Sequence, residues 1–79
     1  MSPTVLRIGE LRFYFFSLEE ERPHVHVQGP RGEAKFWIDP EVELAHNWDL
    51  DRRSLGKARR VIREHKDEIR AAWKKHFKC

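Results

Sequence analysis

The sequence predicts an α+β domain in which an antiparallel sheet of four or five strands packs on one long C-terminal helix. Residues 4–47 alternate between apolar and polar side chains and are divided by turn-forming residues, as in antiparallel strands. Residues 52–78 place apolar side chains at intervals of three and four, the period of a helix with one buried face. Such a helix cannot bury its apolar stripe alone, so we expect it to lie across one face of the sheet.

The composition is that of one small globular domain, residues 1–79. The chain carries 16 Lys and Arg against 13 Asp and Glu, for a formal net charge of +3. No apolar run is long enough for a transmembrane helix, and the N-terminus lacks the apolar stretch of a signal peptide. Together with the single cysteine, Cys79, these features predict a cytoplasmic protein with no membrane contact.

Turn-forming residues divide the first half of the chain into short strands. Gly9-Glu10, Gly29-Pro30-Arg31-Gly32 and Asp39-Pro40-Glu41 each favour a change of chain direction, and Ser17–Arg22 is expected to be an acidic loop. A short helix is the alternative for the last strand, because Glu, Leu and Ala also favour helix. The predicted strands are Thr4–Ile8, Leu11–Phe16, His24–Gln28, Glu33–Ile38 and Val42–Ala45.

The C-terminal helix is predicted to begin after Asp51. A carboxylate at this N-cap position accepts hydrogen bonds from the exposed amides of the first turn. His65 and His76 lie on the apolar stripe of the helix, where a lone histidine is usually a core residue.

Pro23-His24-Val25-His26-Val27 is the segment that points most directly to chemistry. Residues two apart on a strand share a face, so the imidazoles of His24 and His26 are expected to lie side by side. Such a pair can transfer protons, contact nucleic acid, bind a metal ion, or lie half-exposed and hydrogen-bond to neighbouring strands. Because Val25 and Val27 are apolar, we expect the valines to face the helix and the histidines to face away.

A metal site on His24 and His26 would need a third ligand, for which His46, His65 and the carboxylates of Glu19–Glu21 are candidates.

A metal-independent ribonuclease is the catalytic hypothesis, and it needs no cofactor. His24 and His26 would then act as acid and base, while Arg31 and Lys35 would hold the phosphate and stabilise its developing charge.

Basic side chains are concentrated on the predicted helix. Arg59, Arg60 and Arg63 are candidate nucleic-acid contacts, because Lys and Arg neutralise phosphates and release counterions. The alternative is a solvated helix face, which the interspersed Glu64, Asp67 and Glu68 favour. An apolar sheet face left uncovered by the helix would instead mark a protein interface.

Five segments carry a family resemblance: Pro3-Thr4, Phe13–Phe16, Pro23-His24-Val25-His26-Val27, Ala34-Lys35-Phe36-Trp37 and Ile62–Ile69 with Trp73. Their order resembles the domain of unknown function 4160 family, a family of small bacterial proteins. The resemblance implies that His24, His26 and His65 are the family's recurrent histidines, and Trp37, Trp73 and His65 are candidates to support the site or the core. Arg22 is a departure, because the usual members have a second proline there.

Members of the family are often encoded beside a second small protein, an arrangement that resembles a type II toxin–antitoxin module. The resemblance therefore implies a component of such a module, the toxin rather than the antitoxin, which acts on RNA or translation and is neutralised by a small protein partner. The alternatives are a non-catalytic protein-binding module (an antitoxin or adaptor) and a small metal-binding protein. The sequence leaves a homodimer open.

Overall fold

Five strands form one antiparallel sheet in the computed structural model, which describes residues 4–15 and 22–76. The strands are β1 (Thr4–Ile8), β2 (Leu11–Tyr14), β3 (His24–Gln28), β4 (Glu33–Trp37) and β5 (Glu43–Trp48). Each strand pairs with the next one along the chain, so β3 is central and β1 and β5 are the edges.

The α+β architecture predicted from the sequence is confirmed, and the sheet has the larger of the two predicted strand numbers. β5 extends to Trp48, which excludes the short helix considered as its alternative. β4 ends at Trp37, one residue earlier than predicted. β2 ends at Tyr14, while Phe16 and most of the predicted acidic loop lie outside the described residues.

One face of the sheet carries the apolar core. Phe13 pairs with Val27, and Val25 pairs with Phe36, so side chains of these three strands meet on the same face. The valines therefore face the core that the helices complete, as predicted. The core residues in strands β2, β3 and β4, or directly after β2 and β4, are each at most 3% exposed: Leu11, Phe13, Phe15, Val25, Val27, Ala34, Phe36 and Ile38.

The C-terminal segment forms two helices, so the prediction of one long helix is wrong. α1 spans Arg52–Glu64 and α2 spans Lys66–His76, and the last three residues lie outside the described residues. His65 separates them, with its amide donating to Val61 and its carbonyl accepting from Ile69.

The side chain of His65, between the two helices, binds to the first turn of α2. Its Nδ1 donates a hydrogen bond to Oε1 of Glu68 at 2.9 Å. The apolar period continues through His65, with Ile62 and Ile69 both fully buried, so the sequence pattern carries no sign of the break. Neither helix is long and apolar enough to span a membrane.

Asp51 is the N-cap of α1, as predicted. Its carboxylate accepts hydrogen bonds from the amide and the hydroxyl of Ser54, at 3.1 and 2.7 Å. The hydroxyl first, and then the amide, stabilise the ionised carboxylate and hold the pKa of Asp51 below its ordinary value. The start of α1 is therefore fixed by an N-cap that can be recognised from the sequence.

Two glycines are expected to respond to alanine with opposite signs. A Cβ at Gly56 would meet nothing within 4 Å, so Gly56→Ala should raise the free energy of unfolding by about 0.5–1 kcal/mol through helix propensity. A Cβ at Gly32 would overlap the carbonyl oxygen of Trp48, so Gly32→Ala should lower it by about 1–3 kcal/mol. Urea denaturation followed by circular dichroism measures both. A lower free energy of unfolding for Gly56→Ala would contradict the finding that a Cβ at this position has no close neighbour.

Candidate functional site

The sheet face opposite to the apolar core carries aromatic and charged side chains. The register places His26 between Tyr14 and Lys35, and His24 beside Trp37. We call this surface the histidine face, and it comprises Arg12, Tyr14, His24, His26, Gln28, Glu33, Lys35 and Trp37.

Four rings form a continuous row across the histidine face. His24 and His26 lie side by side as predicted, with ring centroids 5.2 Å apart and planes at 80°. His26 stacks on Tyr14 at 5.4 Å, and His24 meets Trp37 edge-on at 5.9 Å. Strands β2, β3 and β4 are therefore joined by ring contacts in addition to their backbone ladders.

Both imidazoles are buried, so the expectation of a half-exposed pair is wrong. His24 is 2% exposed and His26 is 4% exposed. One cause is Trp73 of α2, whose ring lies 4.8 Å from His24 and 5.4 Å from Phe15. Trp73 thus packs against the sheet where β2 ends and β3 begins.

The tautomer of His24 is fixed by the backbone. Its Nδ1 lies 3.0 Å from the carbonyl oxygen of Arg22. A carbonyl only accepts, so Nδ1 carries a hydrogen, and the neutral ring keeps Nε2 as its acceptor. A hydrogen bond that fixes the ring in this way is found in histidines that transfer protons and in purely structural ones. It therefore does not distinguish the two roles for His24.

Of the four candidate catalytic residues, His24, His26 and Lys35 lie together and Arg31 lies apart. Lys35 is the cross-strand neighbour of His26, and its Nζ lies 4.5 Å from the ring centre of Trp37. Arg31 belongs to the exposed loop beyond the Gln28–Glu33 pair, at the end of β3 away from His24. Its position in the β3–β4 turn therefore separates it from the ring row.

Arg22 is a member of this neighbourhood that sequence reasoning did not assign to the site. Its guanidinium lies 4.4 Å from the ring centre of Trp37 and donates to the carbonyl of Asp39 at 2.9 Å. A 3.5 Å ion pair joins it to Glu43. The cation that replaces the family's proline therefore ties the start of β3 to β5.

Tyr14 and Glu33 form a second pair that sequence reasoning missed. The Tyr14 hydroxyl donates to Oε1 of Glu33 at 3.3 Å, and the guanidinium of Arg12 lies 4.6 Å from the Tyr14 ring centre. Burial, followed by the charge and hydrogen bond of Glu33, raises the pKa of Tyr14 to about 12, against a smaller opposite effect of Arg12. The available sequence signal was the phase of Tyr14, which alternates away from the core residues.

No metal site is assembled in the described part of the chain. There, no three His, Cys, Asp or Glu side chains are grouped to hold an ion. His46 packs on Trp48 at a centroid distance of 4.2 Å, and His65 bonds to Glu68. Neither supplies a third ligand to His24 and His26, and the remaining candidates, Glu19–Glu21, lie outside the described residues.

Helix α1 carries the second candidate surface. It holds six basic side chains and a single carboxylate, that of Glu64. Arg59, Arg60 and Arg63 are exposed and line one shallow depression with Gly56 and Glu64. Within residues 4–15 and 22–76, none of the six basic groups forms an ion pair. The basic residues are Arg52, Arg53, Lys57, Arg59, Arg60 and Arg63.

Comparison with protein families identifies the chain's relatives. The family model described as "Domain of unknown function (DUF4160)" matches residues 11–74. The chain belongs to the DUF4160 family. The resemblance inferred from the motifs is thereby confirmed, and the match includes both the histidine face and α1. Comparisons with curated proteins and with solved structures return no match.

The ionisation of Tyr14 gives a direct test of the histidine face of this DUF4160 protein. Tyr14 is the chain's single tyrosine, so the ultraviolet absorbance of phenolate reports on it alone. We expect a midpoint near pH 12 instead of 10, and a lower midpoint in Glu33→Gln. A midpoint near 10 in the folded protein would contradict the burial of this phenol.

The raised pKa of Tyr14 also predicts the direction of alkaline stability. An unfolded tyrosine loses its proton near pH 10, whereas the folded one holds it to about 12. The contribution to stability is therefore fully present below pH 10 and is lost as the pH rises to 12. Urea denaturation across this range should show the loss, and Tyr14→Phe should remove this part of the pH dependence.

Proposed function

We propose that this DUF4160 protein is the RNA-directed toxin of a type II toxin–antitoxin-like pair, and that a small partner protein neutralises it. The observation that supports an RNA target is the exposed basic surface of α1. The gene arrangement implied by the family resemblance supports the pairing with a second protein.

The spacing of the α1 cations favours a polyanionic ligand. Arg59 and Arg63, like Arg53 and Lys57, are like charges four residues apart on the helix, where they repel each other. Arg52 to Arg63 covers about 17 Å of helix axis. An RNA backbone would relieve this repulsion and release its own counterions on binding.

Two of the three acidic residues that favour a merely solvated helix lie outside α1. Asp67 and Glu68 belong to the first turn of α2, whereas Glu64 is the last residue of α1 and lines the same depression as the three arginines. Glu68 is engaged by the ring of His65. The first three turns of α1 therefore have no carboxylate of their own, which weakens the solvated-face interpretation.

His24 and His26 have no catalytic part in this proposed function. Acid–base catalysis requires the ring to reach the RNA hydroxyl, and His24 and His26 are 2% and 4% exposed. We propose instead that the two rings fix β3 against Trp37 and Trp73. Ribonuclease chemistry remains the alternative that the growth experiment below separates.

RNA binding should depend on the α1 arginines. In Arg59→Gln/Arg60→Gln/Arg63→Gln, we expect at least a tenfold loss of affinity for a short fluorescein-labelled single-stranded RNA at low salt. The slope of log K against log salt should become shallower by about 2, since each phosphate contact contributes about 0.7. Fluorescence anisotropy measures both quantities.

The matched control removes the same charge elsewhere. Arg7→Gln/Lys74→Gln/Lys75→Gln changes three exposed cations outside α1 and should retain most of the affinity. Equal losses in the two triple variants would mean that net charge alone attracts RNA, and the α1 site would be abandoned.

Growth under controlled expression tests the toxin role. We expect the chain alone to arrest a bacterial host, the α1 triple variant to be harmless, and the product of the neighbouring gene to restore growth. His24→Asn keeps a donor toward the Arg22 carbonyl and should still arrest growth. Arrest lost in a folded His24→Asn protein would favour the catalytic alternative, and harmless wild-type protein would favour a binding module.

A further inference from the structure

We propose that the groove between β5 and α1 binds an extended acidic segment of a protein partner, which adds to the sheet as a strand beside β5. Binding of the segment does not require RNA. Only its inhibitory consequence rests on the proposed function.

β5 is suited to accept another strand. It has six residues, the most of any strand in the sheet, and it lies at an edge with β4 as its only strand neighbour among the described residues. It contains neither Lys nor Pro, the residues that commonly blunt an exposed edge, and only a register shift with β4 interrupts it. Its outer backbone groups can therefore pair with an extended peptide.

The groove beside β5 has an apolar floor and a cationic wall. Leu44 and Leu55 are half-buried, and they line one depression together with Gly56, Arg52 and Arg59. A neighbouring depression combines Val42 and Glu41 with Arg63 and Lys66. Gly56 leaves the middle of the groove open, since a Cβ there would meet nothing within 4 Å.

Charge selects the chemistry of the segment. Side chains of an added strand alternate, so one set would point toward α1 and meet Arg52, Arg59 and Arg63. Carboxylates at alternate positions complement this wall, whereas lysines would meet like charge. The other set would point toward Trp48, which is 46% exposed and packs on His46, and which favours apolar side chains.

An acidic peptide fits the groove better than RNA does. Phosphates would satisfy the arginines equally well. RNA, however, has no alternating backbone N–H and C=O groups that could pair with those at the edge of β5. Arg59 lines both this groove and the depression shared with Arg60 and Arg63. A segment seated here would therefore withdraw Arg59 from RNA.

Synthetic peptides test the groove without knowledge of the natural partner. The probe is a fluorescein-labelled, end-capped octapeptide of alternating Val and Glu. We expect it to bind the full chain at least tenfold more tightly than the matching Val and Lys peptide. Methylation of alternate backbone amides should abolish binding, because it removes the strand pairing but leaves the charge.

Variants of α1 locate the site. Gly56→Trp fills the groove and should weaken binding at least tenfold, whereas Ala71→Trp adds the same bulk at an exposed position of α2 and should bind as wild type does. Arg52→Gln/Arg59→Gln should weaken binding far more than the control Arg53→Gln/Lys57→Gln, which removes the same charge outside the groove. Circular dichroism and thermal unfolding establish that each variant is folded.

Several outcomes would overturn the proposal. Equal affinity for the Val and Lys peptide, binding that survives backbone methylation, or undiminished binding by folded Gly56→Trp would each do so. A concentration-dependent dimer in sedimentation, abolished by Gly56→Trp, would assign the groove to a second copy of the chain.

The peptide and RNA assays separate this proposal from the proposed function. Peptide binding without RNA binding would retain the groove and reject the RNA target. RNA binding without peptide binding would retain the RNA target and reject the groove. If both bind but the peptide does not displace RNA, only the inhibitory consequence is rejected.

Discussion

The burial of β3 on both of its faces is the constraint on which the rest of the structure depends. Val25 and Val27 are fully buried on the core side, and His24 and His26 are almost fully buried on the other. A central strand with imidazoles on one face needs a second layer that is apolar enough to cover rings and polar enough to hold their nitrogens. Tyr14, Trp37 and the cations around them supply part of that layer.

The break at His65 keeps the C-terminal segment within the length of the domain. A straight helix over residues 52–76 would be about 37 Å long, whereas the longest dimension of the whole molecule is 35 Å. A five-residue strand covers only about 17 Å. Ending α1 at Glu64 and restarting at Lys66 keeps Ile62 and Ile69 over the sheet and brings Trp73 to His24.

Features encoded by neighbouring residues were predictable from the sequence. The alternation of Val25 and Val27 gave the orientation of β3, and Asp51 marked the start of α1. The burial of His24 was not predictable, because it depends on Trp73 from the far end of the chain. The break at His65 was equally hidden, because the apolar period continues through it.

The candidate site shows the same division. Strand pairing of adjacent segments brought Lys35 to His26, as the hypothesis required, but the β3–β4 turn carried Arg31 away. The pair of Tyr14 and Glu33 joins two strands that are not neighbours in the sheet, across the side chains of β3. No pattern within a single segment announces such a contact.

The cations around the histidine face already contact other groups of the protein, whereas the cations of α1 do not form ion pairs in the described residues. A polyanion should therefore gain more binding free energy at α1. On the histidine side, Arg12 donates to Thr4 and Gln28, and Arg22 binds a ring, a carbonyl and a carboxylate. A phosphate there would have to compete with existing partners. The α1 cations form no ion pair in the described residues, so phosphate contacts replace only water and counterions. We therefore propose that Pro23-His24-Val25-His26-Val27, the most conspicuous motif of the sequence, builds the scaffold, and that the basic helix α1 offers the binding surface.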